Sequence, residues 1–291
     1  MTAILYITTV LIWGTTWLAI YWQLGDVPIV VSVFYRFALG AVLLLPAVLF
    51  FNKARVTNLK DHGFLVLLGA CLFCLNFICF YNATRYMPSG LVSVIFSLAT
   101  IYNAVNGRIF YKEKISNKVV IAAIVGFVGL SLLFWNELAG QNDIRQLLLG
   151  VGLAGLGTLF FSFANMISRR NSQAGVKPIV ANAFGMFYGS VFLLIIITVS
   201  GTEIVVPSTG QYILALIYLS VFGSIVAFTT YFLLIERIGA NRAAYATVLF
   251  PIIALILSSI YEGYIWTWTS YIGLVFTLGG IILINYKPNK K

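Results

Sequence analysis

The sequence predicts an all-α polytopic membrane protein whose ten transmembrane helices form two inverted five-helix repeats. Three observations predict it. Of the 291 residues, 61% are hydrophobic and only 9% charged, with a mean hydropathy of +0.99, whereas a soluble domain carries about 25% charged residues. Apolar stretches long enough to cross a bilayer recur along the whole chain. Basic residues collect on every second connection between those stretches.

A span needs about 20 mostly apolar residues, because a helix rises about 1.5 Å per residue through a hydrocarbon core about 30 Å thick. Segment 1 (4–22) begins within four residues of Met1, lacks a basic leader and is long enough to span. It is therefore read as a membrane helix rather than a cleavable signal. Segment 2 (29–51) opens after Gly25-Asp26-Val27-Pro28, segment 3 (63–82) holds all three cysteines, and segment 4 (88–109) opens at Met87-Pro88-Ser89-Gly90. Segment 5 runs over 118–135 and segment 6 over 146–168, the latter stopped by Arg169-Arg170. Segment 7 (179–199) follows Pro178, segment 8 (211–235) follows Pro207-Ser208-Thr209-Gly210, and segments 9 and 10 occupy 243–261 and 267–286. Gly and Pro punctuate the connections as turns require.

Orientation follows from the 18 Lys and Arg. Only Arg85 and Arg145 fall on the connections after odd-numbered segments, and only Arg36 lies well inside a span. All the others sit after segments 2, 4, 6 and 8 or in the tail, as a multi-pass protein of ten spans with both termini cytoplasmic would require. The net charge of +10 is thus a topology signal and not a nucleic-acid footprint. Trp22, Trp135, Trp266 and Trp268 fall at the opposite ends of their spans, where amphipathic rings favour the headgroup level.

Thr100 and Pro251, Glu113 and Tyr264, and Gly129 and Gly280 are all separated by 151 residues. Pro28 and Pro178 open corresponding second segments. The division falls at 1–140 and 141–291, and five spans being an odd number, the second unit enters the membrane inverted. Inverted repeats that can rock about a shared midplane site are a carrier signature.

The three cysteines, Cys71, Cys74 and Cys79, lie in one apolar stretch, and the single histidine, His62, adds no second ligand pair. Core packing is expected there rather than a disulfide, a metal or a redox centre, and no cofactor is implied. Gly150-Val-Gly-Leu-Ala-Gly155 fits a dinucleotide fingerprint only formally, since it lies inside a span, and Gly185-Met-Phe-Tyr-Gly189 is a small-residue packing face. The expected partners are the lipid bilayer and a small-molecule substrate, with a homodimer through the glycine faces left open.

The order Leu11-Ile-Trp-Gly-Thr-Thr-Trp17, Arg36, Glu113, Ala240-Asn-Arg-Ala-Ala-Tyr245, Pro251 and Tyr261-Glu-Gly263 resembles the drug/metabolite transporter superfamily, in its ten-span EamA-type branch, over nearly the whole chain. Thr100 stands where the first repeat often has proline, and Tyr264 at a frequently acidic position. The resemblance implies a bacterial-type inner-membrane carrier, often an exporter of amino acids or related metabolites, and no enzyme.

Candidate substrate-binding residues are polar or aromatic groups within spans. Trp13 and Trp17, four apart on one helix face with Tyr21, either line a cavity or pack, and Thr16 adds a hydroxyl there. Arg36 lies on the order of 10 Å deep at about 1.5 Å per residue beyond Pro28. It either attracts a substrate carboxylate or gates the outer mouth, or else pairs structurally with carbonyls or an acid. Asn76, Tyr81, Asn82, Ser93, Ser97, Asn165 and Tyr245 complete the set, each with helix–helix hydrogen bonding as the alternative. Glu113 and Glu262, near opposite faces, could couple or gate transport or be ordinary solvated charges, and no mid-membrane carboxylate suggests a proton relay. Two other classes remain: an enzyme acting on lipid-linked substrates, which would need clustered acids or histidines at one interface, and a channel or accessory subunit.

Overall fold

The computed structural model describes residues 2–25, 27–51, 59–135, 144–243 and 246–285. It holds ten long helices: α1 (Thr2–Tyr21), α2 (Ile29–Phe51), α3 (Leu59–Ala83), α4 (Ser89–Tyr111), α5 (Asn117–Leu133), α6 (Ile144–Gln173), α7 (Pro178–Ser200), α8 (Gly210–Ile238), α9 (Ala246–Tyr261) and α10 (Trp268–Asn285). Seven of them are long and apolar enough to cross a membrane by length and composition, and α5 is a shorter apolar helix. No strand occurs among the described residues.

Local chemistry sets the helix ends. Pro178 occupies the first turn of α7, and Gly201 terminates it at φ +64°. Thr209 caps α8 by accepting the Tyr212 N–H, as an N-cap hydroxyl does. Helix α6 runs to Gln173 rather than to 168. Its additional turn is held by Arg169 and Arg170, which pair with Glu113 and Asp61 at 2.7 and 2.6 Å.

The packing obeys an approximate two-fold relation. Helices α2 and α7, α4 and α9, and α5 and α10 pair with their own counterparts. The mixed pairs come in equivalent sets: α1 with α8 mirrors α6 with α3, α1 with α9 mirrors α6 with α4, and α2 with α8 mirrors α7 with α3. The core therefore lies between the two halves rather than within either.

Two features escape the sequence. Helix α3 is π-helical over Gly69–Leu75, and α8 over Leu219–Val226, at nearly the same offset that relates the sequence repeats. A π segment opens the carbonyl ladder and is a frequent mark of functional sites. Helix α4 is interrupted at Leu98.

Glycines permit the closest approaches. A Cβ on Gly273 of α10 would lie 2.5 Å from the Leu133 backbone nitrogen, and one on Gly129 of α5 2.5 Å from that of Thr277, so α5 and α10 touch backbone to backbone in the small-residue mode of membrane helices. Gly189 on α7 meets Phe73 and Gly69 of α3 in the same way, which uses the Gly185–Gly189 face inside the chain. Large apolar side chains such as Phe127, Val199 and Val275 point outward from the bundle, as a lipid-facing surface requires.

Candidate functional site

The centre of the bundle holds a small cavity of about 30 Å³ lined by Trp13, Thr16, Trp17, Ile20, Arg36, Asn76, Phe77, Phe80, Phe96, Phe161 and Phe228. Every one of these side chains is buried. That space suits on the order of one or two waters, because one water needs roughly 10–15 Å³ of it. Aromatic rings fill most of the middle of the bundle.

The rings form one cluster. Trp13 lies edge-on to Phe228 at 5.1 Å and to Phe161 at 6.0 Å between centroids, and Trp17 meets Phe80 at 5.3 Å. Phe96 and Phe161 approach to 4.5 Å. Edge-to-face pairs at such distances are favoured by the ring quadrupoles. The Thr16 hydroxyl donates to the Trp13 carbonyl at 2.8 Å.

Arg36 is the one charge in this wall. It is 1% exposed, and no carboxylate pairs with it among the described residues. Its Nε donates to Ser224 Oγ at 3.0 Å, and Ser224 in turn donates to the Leu219 carbonyl freed by the π segment of α8, at 2.8 Å. Its Nη1 reaches the Tyr81 hydroxyl at 3.5 Å, and Tyr81 donates to Gln23 Oε1 at 2.7 Å. The guanidinium lies 4.4 Å from the Phe77 ring centroid, a cation–π contact. Gly223 makes room for it: a Cβ there would stand 3.2 Å from Nη2. A buried cation costs several kcal/mol when nothing neutralises it, and hydroxyls with ring faces offset only part of that. The site is therefore electropositive, apolar-walled and suited to an anion.

Asn76, at the end of the α3 π segment, donates to the Gly157 carbonyl of α6 at 2.7 Å and also borders the cavity. The structure thus brings together Trp13, Thr16, Trp17, Arg36 and Asn76, with Tyr81 behind Arg36. It sets other candidates apart. Ser93 and Ser97 donate to carbonyls of their own helix, Gly90 and Val94, both at 2.5 Å. Asn82 donates to Ile78 O, and Asn165 to Asn103 Oδ1 at 3.2 Å. Tyr21 is 37% exposed and does not line the cavity. Tyr245 lies outside the described residues.

The two acidic candidates close opposite ends of the bundle. Glu262, just past α9, accepts the Ser89 N–H at 2.7 Å, the Ser89 hydroxyl at 2.5 Å and the Ser258 hydroxyl at 2.8 Å. It thereby caps the N-terminus of α4 from the other repeat, where the helix dipole favours an anion. At the other end Glu113, just past α4, pairs with Arg169 of α6, whose guanidinium also lies 4.1 Å from the Tyr111 ring. Helix α4 is held by a carboxylate contact to the second repeat at both ends.

Sequence reasoning missed Phe77, Phe80, Phe96, Phe161, Phe228, Gln23 and Ser224. A signal for some was available: Phe77 and Phe228, and Phe80 and Tyr231, stand 151 residues apart, the same offset as the other repeat pairs. Ser224 had none, because only the π segment of α8 turns it toward Arg36. The cysteines are free: Cys74 and Cys79 are buried and Cys71 half-buried. The described residues contain no cluster of metal-ligating side chains.

Comparison with known proteins adds an independent line. The model of the EamA-like transporter family matches residues 1–135 and 148–286. Similar proteins include an uncharacterized transporter of Clostridium kluyveri, 27% identical over 88% of this chain and 82% of its own length. Another is the uncharacterized transporter YvbV of Bacillus subtilis, 27% identical over 98% of this chain and 92% of that protein. A probable amino-acid metabolite efflux pump of Salmonella typhimurium is 23% identical over 96% of this chain and 93% of its own. One solved crystal structure superposes with a TM-score of 0.70 over 97% of this chain and 95% of that one, at 17% identity, a likeness of fold.

Proposed function

The chain belongs to the EamA-like transporter family, a transporter and not an enzyme, and from that premise we propose that it is a secondary carrier exporting amino acids or related carboxylate-bearing metabolites. Transport proceeds by alternating access, the repeats at 1–140 and 141–291 rocking about the cavity, in the cell inner membrane with both termini cytoplasmic. The observation that carries this reading is Arg36: a buried guanidinium without an acidic partner among the described residues, on the wall of a cavity between the two halves. A substrate carboxylate supplies the counter-charge, while Trp13 and Trp17 accept its apolar part. The efflux pump named among the similar proteins supports the solute class.

The cavity as closed holds no metabolite, so substrate entry requires helices to part at one end. The carboxylate contacts of Glu262 and Glu113 at opposite ends of α4 are the natural gates. Counterflow in proteoliposomes loaded with an amino-acid panel tests the function: saturable exchange is expected, and flux linear in concentration would overturn it in favour of a channel. Arg36→Ala is expected to lower the affinity for carboxylate solutes roughly 10- to 100-fold, the worth of a charge-assisted hydrogen bond of about 1.5–3 kcal/mol. Unchanged kinetics in a folded variant would remove Arg36 from the binding site.

A further inference from the structure

We propose that the cleft between α3, α4 and α6, at the end of the bundle bearing Glu113, is a binding site for an anionic phospholipid. One acyl chain lies in the cleft and the phosphate rests on Arg169 and Arg170. The cleft has a volume of about 480 Å³ and is walled by Phe64 and Leu67 of α3, Phe110 and Tyr111 of α4, and Phe163 and Arg170 of α6. It opens sideways toward lipid: Leu67 is 51% and Phe110 58% exposed.

The cation at one end of this apolar groove is what selects the occupant. Arg170 lies 4.0 Å from the Phe64 ring centroid and Arg169 4.1 Å from that of Tyr111, so two guanidinium–aromatic stacks roof the groove where it meets the headgroup level. Arg169 donates to the Glu113 carboxylate at 2.7 Å, and Arg170 donates from Nη1 to the Asp61 carboxylate at 2.6 Å and to Asn171 Oδ1 at 3.3 Å. A guanidinium carries five N–H donors in all, and the two side chains are 23% and 27% exposed, so donors remain for a phosphate. The helix ends around the groove carry Lys60, Arg108, Lys112, Lys114, Arg169 and Arg170 against Asp61 and Glu113. That surplus of positive charge favours an anionic over a zwitterionic headgroup, in the way basic pockets between membrane helices do.

The same molecule contains its own control. A second lateral cleft between α4, α5 and α6, about 540 Å³ in volume and bordered by Leu98, Phe127 and Leu148 among others, has no charged residue among the described residues that line it. Those lining residues can hold a hydrocarbon chain but offer no charge to select a headgroup.

The test is photo-crosslinking in nanodiscs with phosphatidylglycerol or phosphatidylcholine carrying a diazirine on the acyl chain, followed by peptide mapping. Phosphatidylglycerol is expected to label the 64–71 and 163–167 stretches several-fold above phosphatidylcholine, with no such preference on the 127–134 stretch. Equal labelling by both lipids at 64–71 and 163–167, or an equal preference at both clefts, would overturn the proposal. Replacing Arg169 and Arg170 together by Gln is expected to abolish the preference, each lost charge being worth on the order of fivefold, while Arg170→Lys retains most of it. A preference that survives the double replacement in a folded protein also overturns it. Should that variant not fold, the two-lipid comparison on the natural protein decides alone.

Discussion

Glu262→Gln tests the proposed gate at one end of the bundle. The carboxylate accepts three hydrogen bonds, from the Ser89 N–H, the Ser89 hydroxyl and the Ser258 hydroxyl, at the positive end of α4. Glutamine keeps the shape and one acceptor oxygen but loses the charge. A hydrogen bond to a charged group is worth about 1 kcal/mol more than a neutral one, and an anion at a helix N-terminus about 0.3–1 kcal/mol. Counting one such hydrogen-bond difference together with the dipole contribution, the loss is at least about 1.3–2 kcal/mol, a shift of roughly 10- to 30-fold in the equilibrium between closed and open at that end. The readout is the labelling rate of Ser93→Cys, one turn beneath the contact and fully buried, by a membrane-impermeant maleimide applied from the Glu262 side. The background carries Ala in place of Cys71, Cys74 and Cys79. Glu262→Gln is expected to raise the rate on the order of tenfold or more. An unaltered rate would show that the contact does not limit opening, and the gating reasoning would fail with it.

Other expectations follow from the same geometry. Glu113→Gln should have the mirror effect, raising accessibility from the opposite side, because it weakens the pair with Arg169; no change from either side would reduce that pair to surface charge. Arg36→Lys keeps a cation but loses the Nε bond to Ser224 and the planar stack on Phe77, and binding by isothermal titration should weaken roughly tenfold, since the two side chains are not interchangeable at such sites. Trp13→Ala removes the ring that meets Phe96, Phe161, Phe228 and Phe250; solute affinity should fall, and an unchanged affinity would return Trp13 to packing alone. Gly273→Leu forces a side chain against the backbone of Leu133, and thermal unfolding in detergent should show a loss of at least about 1–3 kcal/mol, the usual cost of overpacking.

Much of the fold is legible in the sequence because the bilayer imposes it. Hydrocarbon demands long apolar helices, so the ten elements follow from the length and spacing of the apolar stretches. The site is legible only where a residue type is costly in its place. Arg36 stands out because a charge in a span must have a purpose, and Trp13 because it lies too deep for an interfacial belt. Phenylalanines such as Phe96 and Phe161 carry no such mark, since in lipid an apolar ring facing the cavity and one facing the bilayer read alike. Ser224 becomes a partner of Arg36 only through the π segment of α8, a backbone irregularity without a composition signal. Glu262 could be placed at a mouth, but its hold on α4 depends on a contact 173 residues back in the chain.

Two-sided labelling of Thr16→Cys in the same cysteine-free background addresses the shared cavity most directly. Thr16 lies on the cavity wall and is 5% exposed. The account predicts reaction with an impermeant thiol reagent applied from either face of the membrane, slowed from both by a transported amino acid. Reaction from one face only, or from neither during active counterflow, would contradict a central pocket that opens alternately to the two sides.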